Sequence, residues 1–165
     1  MRSPGSSEFV VHASPLILLS RVGQLDLLDA VATRVLLPRA VLTGIEGGAA
    51  KDTTHAAGLA HKSWTVLPDL TIPDAIRDCD SGAGEGQVLA HCLDRSSRLA
   101  VLDALAARRC AASLGITMMG TLGIVVEARR RGRPQRTRPV IDSLLENGLR
   151  AQRSLVEALL VELGE

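Results

Sequence analysis

The sequence has almost no aromatic residues: one phenylalanine, one tryptophan and no tyrosine. Ring stacking therefore cannot organise its core, and there is no interleaved aromatic platform for nucleobases. It also lacks a dominant charge. Its 19 Lys and Arg against 18 Asp and Glu leave a net charge of +1, so any contact with nucleic acid or an anionic membrane has to be local. Long apolar runs are missing too: "PLILL" and "GIVV" fall far short of a bilayer span. The opening "MRSPGSSEF" has no apolar stretch of the kind a secretion signal carries. Residues 1–8 are expected to be a disordered lead-in or a vector-derived remnant. The three cysteines, Cys79, Cys92 and Cys110, form no CxxC pair and are odd in number. That argues against a disulfide framework and for a reducing cytoplasm. Cys92 and Cys110 fall within helical patterns, as small apolar fillers.

Hydrophobic residues make up 46% of the 165 positions. This is enough for one folded domain, with a core of Leu, Val, Ile and Ala. Strand and helix patterns alternate along the chain. "EFVVH" reads as a strand and "SPLILLSRVG" as a helix with Ser14 as N-cap, Pro15 at its first position and Gly23 as its stop. "QLDLLDAVA" reads as a second helix and "RVLLP" as a second strand. A helical region interrupted at Gly47-Gly48 follows, and "SWTVLP" is extended.

Further on, "DSGAGEGQVLAHCLDR" is a turn and then a helix whose apolar face is Val88, Leu89, Cys92 and Leu93. "RLAVL" is an apolar strand of the kind buried in parallel sheets. The helix "ALAARRCAASLG", the strand "ITMMG" and the helix "TLGIVVEARRRG" come next, and two amphipathic helices close the chain. This alternation implies an α/β fold with a mostly parallel central sheet, helices on both faces and a helical C-terminus.

In open α/β sheets, ligands bind beyond the carboxyl ends of the strands. The first strand ends at His12, and "RLAVL" delivers Asp103 directly after Leu102. Glu85 opens the helix that leads into that strand; the helix dipole alone would also favour a carboxylate there. Carboxylates gathered in a cleft bind Mg²⁺ or Mn²⁺ through oxygen, and such ions activate water for phosphodiester hydrolysis.

The segments "VVHASPLILLSRVGQLDLL", "LPRAVLTGI", "SGAGEGQVLAHCLD", "LAVLDALAARRCAASLGITMMGTLGIVVEARRRG" and "RPVIDSLLENG" together resemble PIN-domain proteins. The likeness is to the branch related to VapC toxins and covers nearly all of the chain after residue 8. It implies one PIN-like domain over residues 9–165 and a cytoplasmic, metal-dependent endoribonuclease with an acidic quartet. Two of the four acids are matched, by Glu85 and Asp103. The first acidic position holds His12, and the second holds Gly44, with Glu46 near it but off register. Ala104 stands where relatives often carry a further acid, and Ser14 matches a small hydroxyl residue of the pocket. The resemblance thus assigns metal binding to Asp103 and Glu85, with His12 as a further catalytic group. Mg²⁺ affinity should fall steeply with the lost carboxylates, whereas imidazole accepts Mn²⁺ and other transition ions more readily.

The stretch "EARRRGRPQRTR" holds Arg129, Arg130, Arg131, Arg133, Arg136 and Arg138. It reads either as a local patch for RNA phosphates or as a helix C-terminus followed by a solvated loop. Arg108 and Arg109 follow Asp103 on its helix, and Arg108 and Arg130 are the candidates for substrate contact. His55 and His61 stand six apart, off any common helix face, and His91 reads as a helix-surface residue. In the last helix Leu155, Leu159 and Leu163 recur every four residues. They would pack on the domain's own sheet, form a homodimer seam, or receive an antitoxin-like segment. Two functions follow: an endoribonuclease of weak or lost activity, or an inactive PIN-fold module that binds a partner protein or RNA.

Overall fold

The computed structural model describes residues 7–48 and 62–165. The expectations for residues 1–6, and for the pair His55 and His61, lie outside these residues. The described elements run β1 (Glu8–Val11), α1 (Ala13–Arg21), α2 (Asp26–Val31), β2 (Arg34–Pro38) and α3 (Arg39–Gly48). Then come β3 (Thr65–Leu67), α4 (Asp74–Arg77), α5 (Ala83–Asp94), β4 (Arg98–Val101) and α6 (Leu105–Ser113). The chain ends with β5 (Met118–Met119), α7 (Thr121–Arg130), α8 (Arg138–Glu146) and α9 (Arg153–Glu162). Strand β1 thus takes in Glu8, the last residue of the expected lead-in.

The strands form one sheet in the order β3-β2-β1-β4-β5, every neighbouring pair parallel. The chain leaves β1 toward β2 and β3, then returns to β4 on the opposite side. The crevice between β1 and β4 is therefore the topological switch point, where α/β sheets bind ligands. Helices surround the sheet, and the core is aliphatic as expected. Val10, Val11, Leu36, Leu89, Val101 and Ile124 are completely buried. Gly115 and Gly132 adopt positive φ just past α6 and α7, where the sequence predicts helix stops.

Several local expectations are corrected. Ser14 is not an N-cap: α1 starts at Ala13, two residues earlier than expected, and His12 holds the cap position, without a side-chain bond to the helix. Ser14 is thereby freed to point its hydroxyl elsewhere. Leu93 is 40% exposed, because the buried side of α5 continues through Ala90, His91 and Cys92. In α9 the buried residues are Val156 and Leu160, while Leu155 is half exposed. The four-residue helix α4 has too few apolar positions to show a period. Cys79 and Cys110 are joined in a disulfide, with Cα atoms 5.8 Å apart, against the reading of Cys110 as a mere filler. Spacing gave no hint of this, because 31 residues separate the two cysteines and the fold alone brings them together.

His91 is a second correction in polarity. It is 3% exposed and donates from Nε2 to the Pro68 carbonyl at 2.9 Å. Its Nδ1 faces the guanidinium of buried Arg98 at 3.4 Å, and Arg98 pairs with Glu8 at 3.6 Å. Burial, reinforced by the Arg98 charge, holds the His91 pKa below the ordinary 6.5. The unfolded chain then takes up the proton more readily than the folded one. Stability is therefore full above about pH 6.5 and falls as the pH drops below it. Thermal melts between pH 7 and pH 5 should show Tm declining with acidity, with a shallower decline in His91→Gln. An identical slope in the variant would assign the acid sensitivity to other groups.

Candidate active site

Strand pairing builds the site. Val11 pairs with Val101, and the His12 backbone N–H donates to the Val101 carbonyl at 3.1 Å. His12 therefore leaves β1 beside the residue that precedes Leu102 and Asp103. Beyond β4, the Asp103 carboxylate meets the N-terminus of α7. Its Oδ1 accepts the Thr121 backbone N–H at 2.7 Å, and its Oδ2 accepts the Thr121 hydroxyl at 2.7 Å and the Ser14 hydroxyl at 3.2 Å. A carboxylate at a helix N-terminus is favoured by the exposed N–H groups and the helix dipole.

The "GTLG" stretch owes its glycines to this crowding. A Cβ at Gly120 would stand 3.2 Å from Asp103 Oδ1, and one at Gly123 would stand 2.5 Å from Met119 Cγ. Thr121, completely buried, is the functional residue that sequence reasoning missed. Its partner lies 18 residues away and shares no periodic signal with it.

Glu85 enters from α5. Its Oε2 accepts the Gly82 backbone N–H at 3.3 Å, so the carboxylate turns back on its own helix start. His12 lies against that same turn: a Cβ at Gly84 would be 3.0 Å from His12 Nε2 and 3.5 Å from Val41 Cγ2. Burial lowers the His12 pKa, and the Glu85 and Asp103 carboxylates oppose this without reversing it. His12 is consequently neutral at pH 7, able to accept a proton or offer a lone pair.

Val41 touches this turn, and Gly44 is one helical turn along on the same side of α3. A side chain at Gly44 would meet nothing within 4 Å. Glu46 is exposed, and Asp26 is held by Lys62, which also bonds Asp29 at 2.7 Å.

A cleft of about 640 Å³ opens on the far side of Asp103. Ser14, Asp103, Arg108 and Arg130 line it together, along with Arg150 and Leu155. His12 and Glu85 are outside its lining. The sequence-predicted site residues thus fall into two adjoining groups that share Asp103. Arg130 is already paired, with Glu162 at 2.6 Å and Glu127 at 3.8 Å. Other arginines of its stretch follow suit: Arg131 bonds Glu127, and Arg138 bonds Glu157.

The donor set is too small to hold a divalent cation tightly. Among the described residues no three His, Cys, Asp or Glu side chains group as metal ligands. Asp103 already accepts three hydrogen bonds of the roughly four a carboxylate can take.

A parallel sheet with polar side chains gathered at its switch point defines an open α/β domain of the ligand-binding kind. A family model, DUF3368, described as a PIN domain, matches residues 8–165, and the chain belongs to that family. No curated protein matches it. Among the described residues no helix is long and apolar enough to cross a membrane.

The Thr121 clamp has a measurable weight. Thr121→Val removes a hydrogen bond to an ionised group and should lower stability by about 1.5–3 kcal/mol in urea unfolding. Ser14→Ala, losing a longer bond, should lower it by about 0.5–1.5 kcal/mol. An unchanged midpoint for Thr121→Val would show that the Thr121 hydroxyl adds nothing to the hold of its backbone N–H on Asp103.

Proposed function

We propose that this chain is a PIN-fold protein of the VapC-like type that holds RNA and cleaves it weakly or not at all. One observation carries the reading. The acids matched at the sheet's switch point are Glu85 and Asp103, and each already serves as acceptor for a helix N-terminus. The working group is Asp103, Glu85 and His12, with Ser14, Arg108 and Arg130 as contacts along the adjoining cleft. Mg²⁺ requires near-ideal oxygen coordination and depends on charge count, so a two-carboxylate pocket retains it poorly. The cytoplasm is the compartment in which such a protein meets RNA.

Two further readings each rest on an observation. Neutral His12 between two carboxylates favours Mn²⁺ over Mg²⁺ as the ion for residual cleavage. The half-exposed Leu155, which lines the cleft beside Asp103, favours an antitoxin-like segment as the occupant.

Calorimetric titration with Mn²⁺ and Mg²⁺ tests the main reading, run on the native chain, Asp103→Asn and the double variant His12→Asp/Gly44→Glu. The native chain should give weak Mn²⁺ heat that is lost in Asp103→Asn, and little or no Mg²⁺ heat. The double variant should bind both ions tighter, by roughly tenfold per restored carboxylate, or about 1.4 kcal/mol each. Cleavage of single-stranded RNA should rise with it. Efficient Mg²⁺-dependent cleavage by the native chain, not improved in the double variant, would sink the reading.

A further inference from the structure

We propose that Cys79 and Cys110 are a reversible dithiol–disulfide pair that sets the position of the Glu85 turn against the helix that follows Asp103. The proposal relies on the functional reading above only in treating those two acids as the working pair. Cys79 lies just past α4, six residues before Glu85, and Cys110 lies on α6, seven residues after Asp103. The bond therefore ties together the segments that deliver the two acids.

The chain around this bond is held unevenly. Upstream, Ile76 is 1% exposed, and the Leu70 backbone both donates to and accepts from the Gln87 side chain of α5 at 2.8 Å each. Downstream, α5 is anchored by Val88 and Leu89, both fully buried. The short segment between these anchors carries two local penalties. Asp80 has φ +53, in the left-handed region, and the buried Ser81 hydroxyl has no hydrogen-bond partner among the described residues. Such features persist only where the surroundings impose them. Breaking the disulfide removes one of those impositions, six residues from Glu85.

The chemistry fits a switch. Cys110 is 3% exposed, whereas Cys79 is only partly buried on a turn. A small dithiol therefore attacks at Cys79 Sγ. The S–S bond breaks, Cys110 leaves as a thiolate and takes up a proton, and a mixed disulfide forms on Cys79. The second thiol of the reductant displaces Cys79, which is protonated in turn. Two electrons and two protons pass to the protein, and the dithiol becomes a cyclic disulfide. Cys92 stays out of the exchange: it is buried, and burial pushes its thiol pKa up to about 12.

The full chain is treated with oxidised glutathione or with dithiothreitol, alkylated in denaturant and counted by mass. The oxidised form should show one free thiol, Cys92, and the reduced form three. Native hydrogen exchange should speed up at least tenfold on reduction over residues 78–86 and stay unchanged in β1 and α8. Cys79→Ser should show the fast pattern without reductant. Cys79→Ala serves the same purpose should serine perturb folding, with circular dichroism checking both. Three thiols after oxidation overturn the proposal, as does exchange that is identical in both states or rises evenly along the chain. If exchange responds but neither redox state binds Mn²⁺, the metal part of the functional reading fails and the redox pair stands.

Discussion

The whole site hangs on the parallel pairing of β1 with β4. Two buried strands, Phe9-Val10-Val11 and Ala100-Val101 with Leu102 beyond, align so that His12 and Asp103 emerge side by side where the sheet changes direction. Neither residue needs an interaction of its own to arrive there. Slipping the register of β1 by one residue would turn His12 to the opposite face and put Val10 toward another layer. Because Val10, Val11, Ala100 and Val101 are all completely buried, hydrophobic packing resists that slip.

From that point, the two acids take their geometry from helix ends. Asp103 satisfies the first N–H of α7 and Glu85 satisfies Gly82 at the start of α5. These duties account for both carboxylates without any metal. A side chain that satisfies a helix start costs stability when it is removed, whatever else the site does. A carboxylate whose only duty is to hold a cation is lost without that penalty. Gly44, on an exposed stretch of α3 with open space around it, carries no such packing duty.

Periodic features of the fold were legible in the sequence, and pairwise ones were not. β1, β2 and β4 follow from continuous apolar runs, and the α6 and α7 ends from Gly115 and Gly132. His12, Glu85 and Asp103 are found by asking what stands where strands end and helices begin. The failures share a cause: each depends on a partner far along the chain. Thr121 needs Asp103, Cys79 needs Cys110, and His91 needs Pro68 and Arg98. The α5 pattern even misplaced its own edge, since His91 is polar by composition yet buried because two polar partners receive it.

The electrostatics of the cleft follow from the same partnerships. In the arginine-rich stretch, Arg130, Arg131 and Arg138 are paired with Glu162, Glu127 and Glu157. Each such exposed pair contributes little stability, but together they take charge away from a phosphate-binding surface. Arg108 and Arg150 remain beside Asp103 in the cleft, with Glu127 the other acid in its lining. Arginines along a groove attract phosphate groups without a metal, and Arg108 and Arg150 supply that attraction on the cleft side of Asp103. On the reading proposed above, such a cleft is better suited to holding a phosphate backbone than to cutting it.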